Sequence, residues 1–350
     1  MRILHSIFAV AFMASASLAA TPNARILSVD RARDSSLTVR YALNGAPAVV
    51  TFDFQTNKTA WASIGADNFR GVSGDVFRKL DSDGTYEIRW NPSASWPDRV
   101  VSDGNARIVL TAWAADDTPD YMVVDLESGT AADDRVLYYP DASYIPGGLL
   151  ETNLYWTTKL VMRRIHARGV PWTMGAEGET GAAYARDLNH SVCLTNDFYI
   201  GVFPVTQKQW ETVGTGNNYN KPSYFTNETF RARRPVEQVS FTDIRLAAPR
   251  NLTQYQHPAS AADKTDYQWP KAPHESSFLG RLRARSGGID FDLPGEAQWE
   301  FACRAGTVIG DIRLEYCCGT EGLALRELQT DIHRERTQRL DIGSKVIRHR

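Results

Sequence analysis

The hydrophobic pattern divides the chain into a strand-rich first part and a mixed second part. From residue 25 to about residue 139, apolar residues alternate with polar ones or form short apolar runs between turn residues. This period of two is typical of β-strands. It predicts strands over residues 36–43, 48–54, 86–90, 106–113 and 121–126. The Asn44-Gly45 pair between the first two strands is a strong hairpin signal. Such a series of short strands predicts a β-sandwich over residues 21–140.

After a linker predicted at residues 141–160, which contains Pro-Gly-Gly, strands and short helices are mixed. Strands are predicted at 160–165, 172–175, 191–195 and 198–203. Thr206 and Gln209 have the spacing of a capping box, which predicts a helix from 207 to 213 that ends at Gly214. Ser240 is predicted to begin a second helix, and residues 276–286 a third. The whole chain is therefore predicted to be α+β, without the βαβ alternation of a nucleotide-binding fold.

The first residues have the composition of a secretory signal peptide. Arg2 is the only charged residue before Arg25, an apolar run follows it, and small residues precede Ala19 and Ala20. We therefore predict a signal peptide over residues 1–20 and a secreted or periplasmic protein. A retained membrane anchor is the alternative, but the run is short for a membrane span, and no later stretch is predicted to cross a membrane.

Composition adds few constraints. The 350 residues are 43% hydrophobic and 23% charged with a net charge of −2, which gives no reason to expect nucleic acid as a partner. The four cysteines are too few for a disulfide-built scaffold. Cys193 and Cys303 lie in apolar contexts and are predicted to be buried.

Four sequence motifs resemble, in order, those of the formylglycine-generating enzyme (sulfatase-modifying factor) family. They are Trp-Thr-Met-Gly (172–175), His-Ser-Val through Phe-Tyr-Ile-Gly-Val-Phe-Pro-Val-Thr (190–206), Arg-Pro-Val-Glu-Gln-Val-Ser-Phe-Thr-Asp (234–243), and Phe-Asp-Leu-Pro-Gly-Glu-Ala-Gln-Trp-Glu with the residues that follow (291–306). The fourth departs from the family at Gly295, where threonine is usual. Glycine there costs only a few tenths of a kcal/mol. The motifs cover residues 161–306, which we predict to be a partial domain of the family.

The resemblance implies a C-type-lectin-like α+β fold for that domain. In intact members it implies an oxygen-dependent oxidoreductase, in which two cysteines hold copper(I) against the thiol of a protein or peptide substrate. Other branches of the family use the fold only for binding.

The family's later motifs and its cysteine pair do not follow in this chain. The tail at 307–350 has a different composition, with 15 charged residues among its last 40, and its leucines suggest an amphipathic helix. Cys317 and Cys318 are adjacent, so their side chains diverge and chelate one ion poorly. We expect the chain to be truncated or frame-shifted just after Gly306.

No catalytic, cofactor-binding or metal-binding residue is therefore predicted, and no cofactor is expected in this chain. His190 lies in a matched motif, but a structural role fits it better than a catalytic one. Within residues 291–306, Trp299 is predicted to anchor a capped helix in the core. The glutamates of this segment are given no catalytic role. Two functions remain. One is an exported family member, of oxidoreductase lineage but inactive. The alternative is a non-enzymatic periplasmic or cell-surface binding protein with a lectin-like fold.

Overall fold

A computed structural model describes residues 21–69, 71–97, 104–127, 132–175, 189–214, 222–225, 227–245 and 272–305. The predicted signal peptide and the tail after residue 306 lie outside these residues. The strands are β1 (Asn23–Arg31), β2 (Leu37–Asn44), β3 (Ala48–Asn57), β4 (Trp61–Ser63), β5 (Ser73–Gly74), β6 (Lys79–Leu80), β7 (Gly84–Trp90), β8 (Ala106–Ala114), β9 (Tyr121–Asp125), β10 (Val136–Tyr139), β11 (Lys159–Ile165), β12 (Pro171–Met174), β13 (His190–Cys193) and β14 (Phe198–Gly201). The helices are α1 (Pro92–Ser95), α2 (Leu154–Thr157), α3 (Gln207–Val213), α4 (Glu228–Arg231), α5 (Phe241–Arg245), α6 (Phe278–Arg285) and α7 (Glu296–Arg304).

The first eight strands form two antiparallel sheets with a common core. One sheet has the order β1-β2-β7-β5, and in the other β3 pairs with β4 and β6 and also with β8. Phe52 of β3 and Trp90 of β7 meet edge to face with ring centroids 5.7 Å apart, so the inner faces of the two sheets are in contact. Both rings are almost fully buried, as the alternating sequence pattern predicts.

The hairpin predicted at Asn44-Gly45 is wrong. Strand β2 lies in the first sheet and β3 in the second, so this turn carries the chain from one sheet to the other. Gly45 has the positive φ of 82° that the turn signal predicts. The signal thus identified a turn, but a turn sequence does not determine whether the strands it joins will pair.

A third antiparallel sheet, with the order β10-β9-β11-β14, is apolar on both faces. Tyr121 and Val123 of β9 belong to the core of the first two sheets, whereas Met122 and Val124 pack with the helices. All five residues of β9 are buried. A strand covered on both faces needs apolar side chains at successive positions, which explains why this segment lacks the alternation of the earlier strands.

Strand pairing joins the two sides of the predicted linker. Strand β9, predicted as part of the sandwich, pairs in register with β11 from Lys159↔Asp125 to Arg163↔Tyr121. Within residues 141–160, Ile145, Leu149 and Tyr155 are buried in the core shared with the first sheets. The domain boundaries at 140 and 160 remain predictions, but the hydrogen-bonded structure is continuous across them.

The predicted helix starts are confirmed where the chain is described. Thr206 Oγ1 accepts a hydrogen bond from Gln209 N at 3.2 Å, and Gln209 Oε1 accepts one from Thr206 N at 2.9 Å, which completes the capping box of α3. Ser277 caps α6, its Oγ accepting a hydrogen bond from Gly280 N at 3.1 Å. The fold is therefore β-rich with few helices. None of the helices described is long and apolar enough for a membrane span.

Candidate functional site

The second and third motifs are adjacent in space. Gln207 N donates a hydrogen bond to Arg234 O at 2.8 Å, and Val236 N donates one to Val205 O at 2.9 Å. The third motif thus runs antiparallel beside the start of α3. These contacts use backbone groups, so they hold the two segments together whatever side chains stand at these positions.

A buried ion pair joins helix α5, which begins within the third motif, to the fourth motif. Arg245, the last residue of α5, is 1% exposed. Its Nε and Nη2 donate to Oδ1 and Oδ2 of Asp292 at 2.6 and 2.8 Å. Such a two-pronged pair fixes both position and orientation. Asp292 also lies 3.6 Å from Nη2 of Arg283, so two guanidinium groups hold this carboxylate.

The first and fourth motifs meet at the end of strand β12. Glu300 Oε1 accepts a hydrogen bond from Gly175 N at 3.0 Å, and Arg304 Nη2 donates one to Gly175 O at 2.6 Å. The ring of Trp172 packs edge to face on Phe301, with centroids 5.5 Å apart. Glu300 therefore has a structural role, since it joins helix α7 to the end of β12.

The prediction that Trp299 anchors helix α7 in the core is wrong. Trp299 is 45% exposed, whereas Phe301, Ala302 and Cys303 are buried. Packing against β12 places the Phe301 side of the helix inward, and Trp299 projects from another side. Gly295 N donates to Gln298 Oε1 at 2.9 Å, so half of a capping box is present. Glycine has no side chain to complete the other half.

An apolar cavity of about 560 Å³ lies between the third sheet and the helices. Three of the four motifs contribute to its wall, through Tyr199 and Val205, through Val236 and Val239, and through residues 291–294 with Gln298. Trp210 of α3 and Phe278 of α6 also line it and stack face to face, with centroids 4.6 Å apart and planes within 7°. A volume of this size is typical of small-ligand sites.

The tyrosines that line the cavity are held in their neutral form. The hydroxyl of Tyr199 hydrogen-bonds to Pro119 O and to Thr118 Oγ1, the latter at 2.8 Å. Burial raises the pKa of Tyr199, and burial raises the pKa of Tyr138 to about 12. Both side chains are therefore neutral at neutral pH, and the Tyr199 hydroxyl serves as a hydrogen-bonding group.

The two cysteines of the described residues, Cys193 and Cys303, lie on different elements. Cys303 is buried, as predicted. Cys193 is exposed, contrary to the prediction, because its strand β13 pairs only with β12 in a two-stranded sheet. Neither lines the cavity. Cys317 and Cys318 lie outside the described residues.

Metal-ligating side chains are also not clustered elsewhere in the part of the chain that the structure describes. No group of three or more His, Cys, Asp or Glu residues there could hold a metal ion. His190, at the start of β13, is exposed opposite Met174 and does not line the cavity.

A buried charge cluster near the cavity was not foreseen from the sequence. Arg164 of β11 is 7% exposed and pairs with Asp197 at 2.7 Å and with Asp117 at 2.8 Å. Burial alone would raise the pKa of Asp197, but hydrogen bonds from Arg168 N and from the Arg164 guanidinium hold it below its usual value. The hint of this cluster in the sequence is a charged residue, Arg164, within a mainly apolar strand. Its partners Asp117 and Asp197 are distant in sequence, so the strand alone does not identify them.

Comparison with known proteins places these motifs in one family. Residues 135–344 match the family described as "Sulfatase-modifying factor enzyme 1-like domain", a range wider at both ends than the four motifs. The chain is also similar to "Chaperone protein LppX" of Paenibacillus barcinonensis, with 33% identity over 112 residues. That match covers 32% of this chain and 37% of the relative, so the chain spans little more than a third of the relative's length. No solved structure matches.

Proposed function

The chain belongs to the sulfatase-modifying factor family, and we propose that it is a non-enzymatic binding protein of that family whose apolar cavity takes an apolar ligand. The cavity carries this proposal, because three of the family's motifs build its wall and none of the described residues that line it is a cysteine. We further propose the α+β class for the chain, with a C-type-lectin-like fold for the family domain.

Two other observations support binding over catalysis. The groups that could act chemically near the cavity are already engaged, since Asp292 is paired with Arg245 and Tyr199 is held neutral by burial. The partial relative carries the name of a chaperone, a protein class that acts by binding. A ligand with an extended apolar surface would fit the aromatic stack of Trp210 and Phe278.

The second candidate function is thiol oxidation, and family membership favours it. The resemblance implies copper(I) and a protein or peptide thiol in intact members. The two cysteines in the described residues do not form a copper site, because Cys193 is exposed at the end of β13 and Cys303 is buried in α7. No reaction step is therefore assigned to this chain.

A dye titration tests the cavity. N-phenyl-1-naphthylamine, a neutral apolar dye, is expected to bind the full chain with a stoichiometry of one. Met162→Trp fills the cavity and is expected to weaken binding by about tenfold, equivalent to about 1.4 kcal/mol. Val29→Trp is the matched control, since Val29 is 47% exposed and lies far along the chain in β1. Equal affinity of the Met162 and Val29 variants would contradict the proposal.

A copper(I) titration with oxygen uptake on a thiol peptide tests the rival function. Stoichiometric copper binding with turnover would overturn the non-enzymatic assignment, whatever the dye titration shows.

Export is proposed from the sequence alone. We expect the mature chain to begin after Ala19 or Ala20 and to be found outside the cytoplasm. Mass spectrometry of the protein purified from its native host checks this, and an intact N-terminus would refute it.

A further inference from the structure

A second concave surface lies apart from the cavity, between α2 and the segment that follows α4. This surface, the α2–α4 groove, has a volume of about 430 Å³. Its lining residues are Leu150, Asn153, Trp156, Phe230, Arg233 and Arg234. None of them lines the apolar cavity, so the groove is a separate site.

The groove is bordered by exposed apolar side chains. The exposed fractions are 40% for Leu150, 43% for Leu154, 57% for Phe225 and 48% for Phe230. One exposed leucine or phenylalanine is ordinary, but several beside one groove are typical of an interaction surface.

Two arginines give the groove a positive charge. The guanidinium of Arg234 lies over the rings of Phe225 and Phe230, at 5.9 and 5.6 Å from their centroids. Arg233 Nη1 reaches Asn153 Oδ1 across the groove at 3.4 Å. Among the described residues neither arginine has a carboxylate within ion-pair distance, whereas the nearby Arg231 is buried and paired with Glu211.

The backbone on both sides of the groove is fixed by the start of α3. Thr206 Oγ1 donates to Trp156 O at 2.7 Å, and Gln207 N donates to Arg234 O at 2.8 Å. Gln209, 1% exposed, donates through Nε2 to Tyr155 O at 3.1 Å. The groove therefore exists before any partner arrives, which lowers the entropic cost of binding.

We propose that the α2–α4 groove docks a segment of a partner protein in which an acidic residue lies beside an aromatic or aliphatic one. A guanidinium presents its donors in a planar fork that matches a carboxylate. The exposed rings provide the apolar contact, and aromatic residues and arginine are the types enriched at protein interfaces. The occupant is a peptide segment, because apolar side chains and two guanidinium groups lie together in one groove of about 430 Å³, which a few consecutive residues can fill.

Fluorescence anisotropy of two rhodamine-labelled peptides tests this proposal on the full chain. The first is Gly-Ser-Asp-Phe-Glu-Leu-Asp-Ser-Gly, and the second has lysine at each acidic position. We expect the acidic peptide to bind at least about tenfold more tightly than the lysine peptide, because like charges repel in the second case. Raising the salt concentration should weaken the acidic peptide's binding.

Variants locate the site. Arg233→Gln combined with Arg234→Gln is expected to weaken binding by about tenfold, and Phe230→Ser by a similar factor. Arg168→Gln is the control for the loss of a surface charge, since Arg168 is exposed on another part of the surface. Circular dichroism confirms that each variant is folded. Arg234→Lys keeps the positive charge but loses the planar fork of donors. Its affinity for the acidic peptide should lie between those of wild type and the double variant.

Three results would overturn the proposal. They are no binding of the acidic peptide to wild type, equal binding of both peptides, and binding that the groove variants leave unchanged. Binding to phosphatidylglycerol vesicles through the same arginines, without peptide binding, would assign the groove to a membrane surface instead and would also refute it.

Discussion

Asp292→Asn is expected to destabilise the protein far more than its small size suggests. The substitution replaces one carboxylate oxygen by an amide nitrogen and leaves the shape of the side chain nearly unchanged. Asp292 receives two charge-assisted hydrogen bonds from Arg245, at 2.6 and 2.8 Å, and Arg245 is 1% exposed. The variant therefore removes one carboxylate charge from beside a buried guanidinium.

The size of the expected loss in the free energy of unfolding follows from the burial of the ion pair. Removing one partner of a buried ion pair costs about 3–5 kcal/mol. Asparagine can still accept one hydrogen bond, and the Asp292 side chain is 22% exposed, so we expect the low end of that range, about 3 kcal/mol. Asp290 provides a matched control two residues away. Its carboxylate pairs with Arg283 at 3.1 Å but is 90% exposed, so Asp290→Asn should cost no more than about 1 kcal/mol.

Urea unfolding at neutral pH measures the difference in stability between Asp292→Asn and Asp290→Asn. The free energies of unfolding of the two variants should differ by about 2 kcal/mol, with the m-value unchanged. A further variant, Arg245→Met with Asp292→Leu, should recover much of the loss, because it removes the buried charge together with its partner. If Asp292→Asn were as stable as Asp290→Asn, the ion pair would not be what holds helix α5 to the fourth motif.

Three further predictions test the framework around the cavity. Thr206→Ala should lower the free energy of unfolding by about 1–2 kcal/mol, because a buried cap is lost, whereas Thr212→Ala on the surface of the same helix should change it by less than about 0.5 kcal/mol in urea unfolding. Because the pKa of Asp197 is lowered in the folded state, its stabilising effect is present above the unfolded pKa of about 3.9 and disappears as the pH falls through the folded pKa. The stability difference between wild type and Asp197→Asn should thus shrink as the pH falls below about 4, and a difference that does not shrink there would contradict this account. In native protein, iodoacetamide should modify Cys193 and spare Cys303 until urea unfolds the chain, as read by peptide mass spectrometry; equal rates would refute the burial difference.

The sequence predicted local structure well where local interactions decide it. The α3 helix begins and ends where the capping box and Gly214 place it, because a cap is satisfied within four residues. Most strands were predicted correctly for a similar reason, because the alternation of apolar and polar residues indicates that one face of the strand is buried.

Features that depend on distant residues were predicted poorly. The Asn44-Gly45 turn has the backbone its sequence demands, yet β2 and β3 pair with other strands. Trp299 and Cys193 looked like core residues because they are apolar, but burial depends on what packs over them. The cavity lies between segments far apart in the chain, so no single stretch of sequence could reveal it.

The contacts among the four motifs explain why a sequence signature of the family can reflect packing as well as chemistry. Glu300 binds the backbone of Gly175, Asp292 binds Arg245, and Val205 pairs with Val236. Each of these contacts holds one motif to another or to helix α5, and none of them involves a cysteine. Selection for a stable wall around the cavity would preserve such residues whether the protein oxidises a thiol or binds a ligand. The four motifs are therefore evidence for the family and its packing, while the activity has to be argued from the cysteines and the cavity.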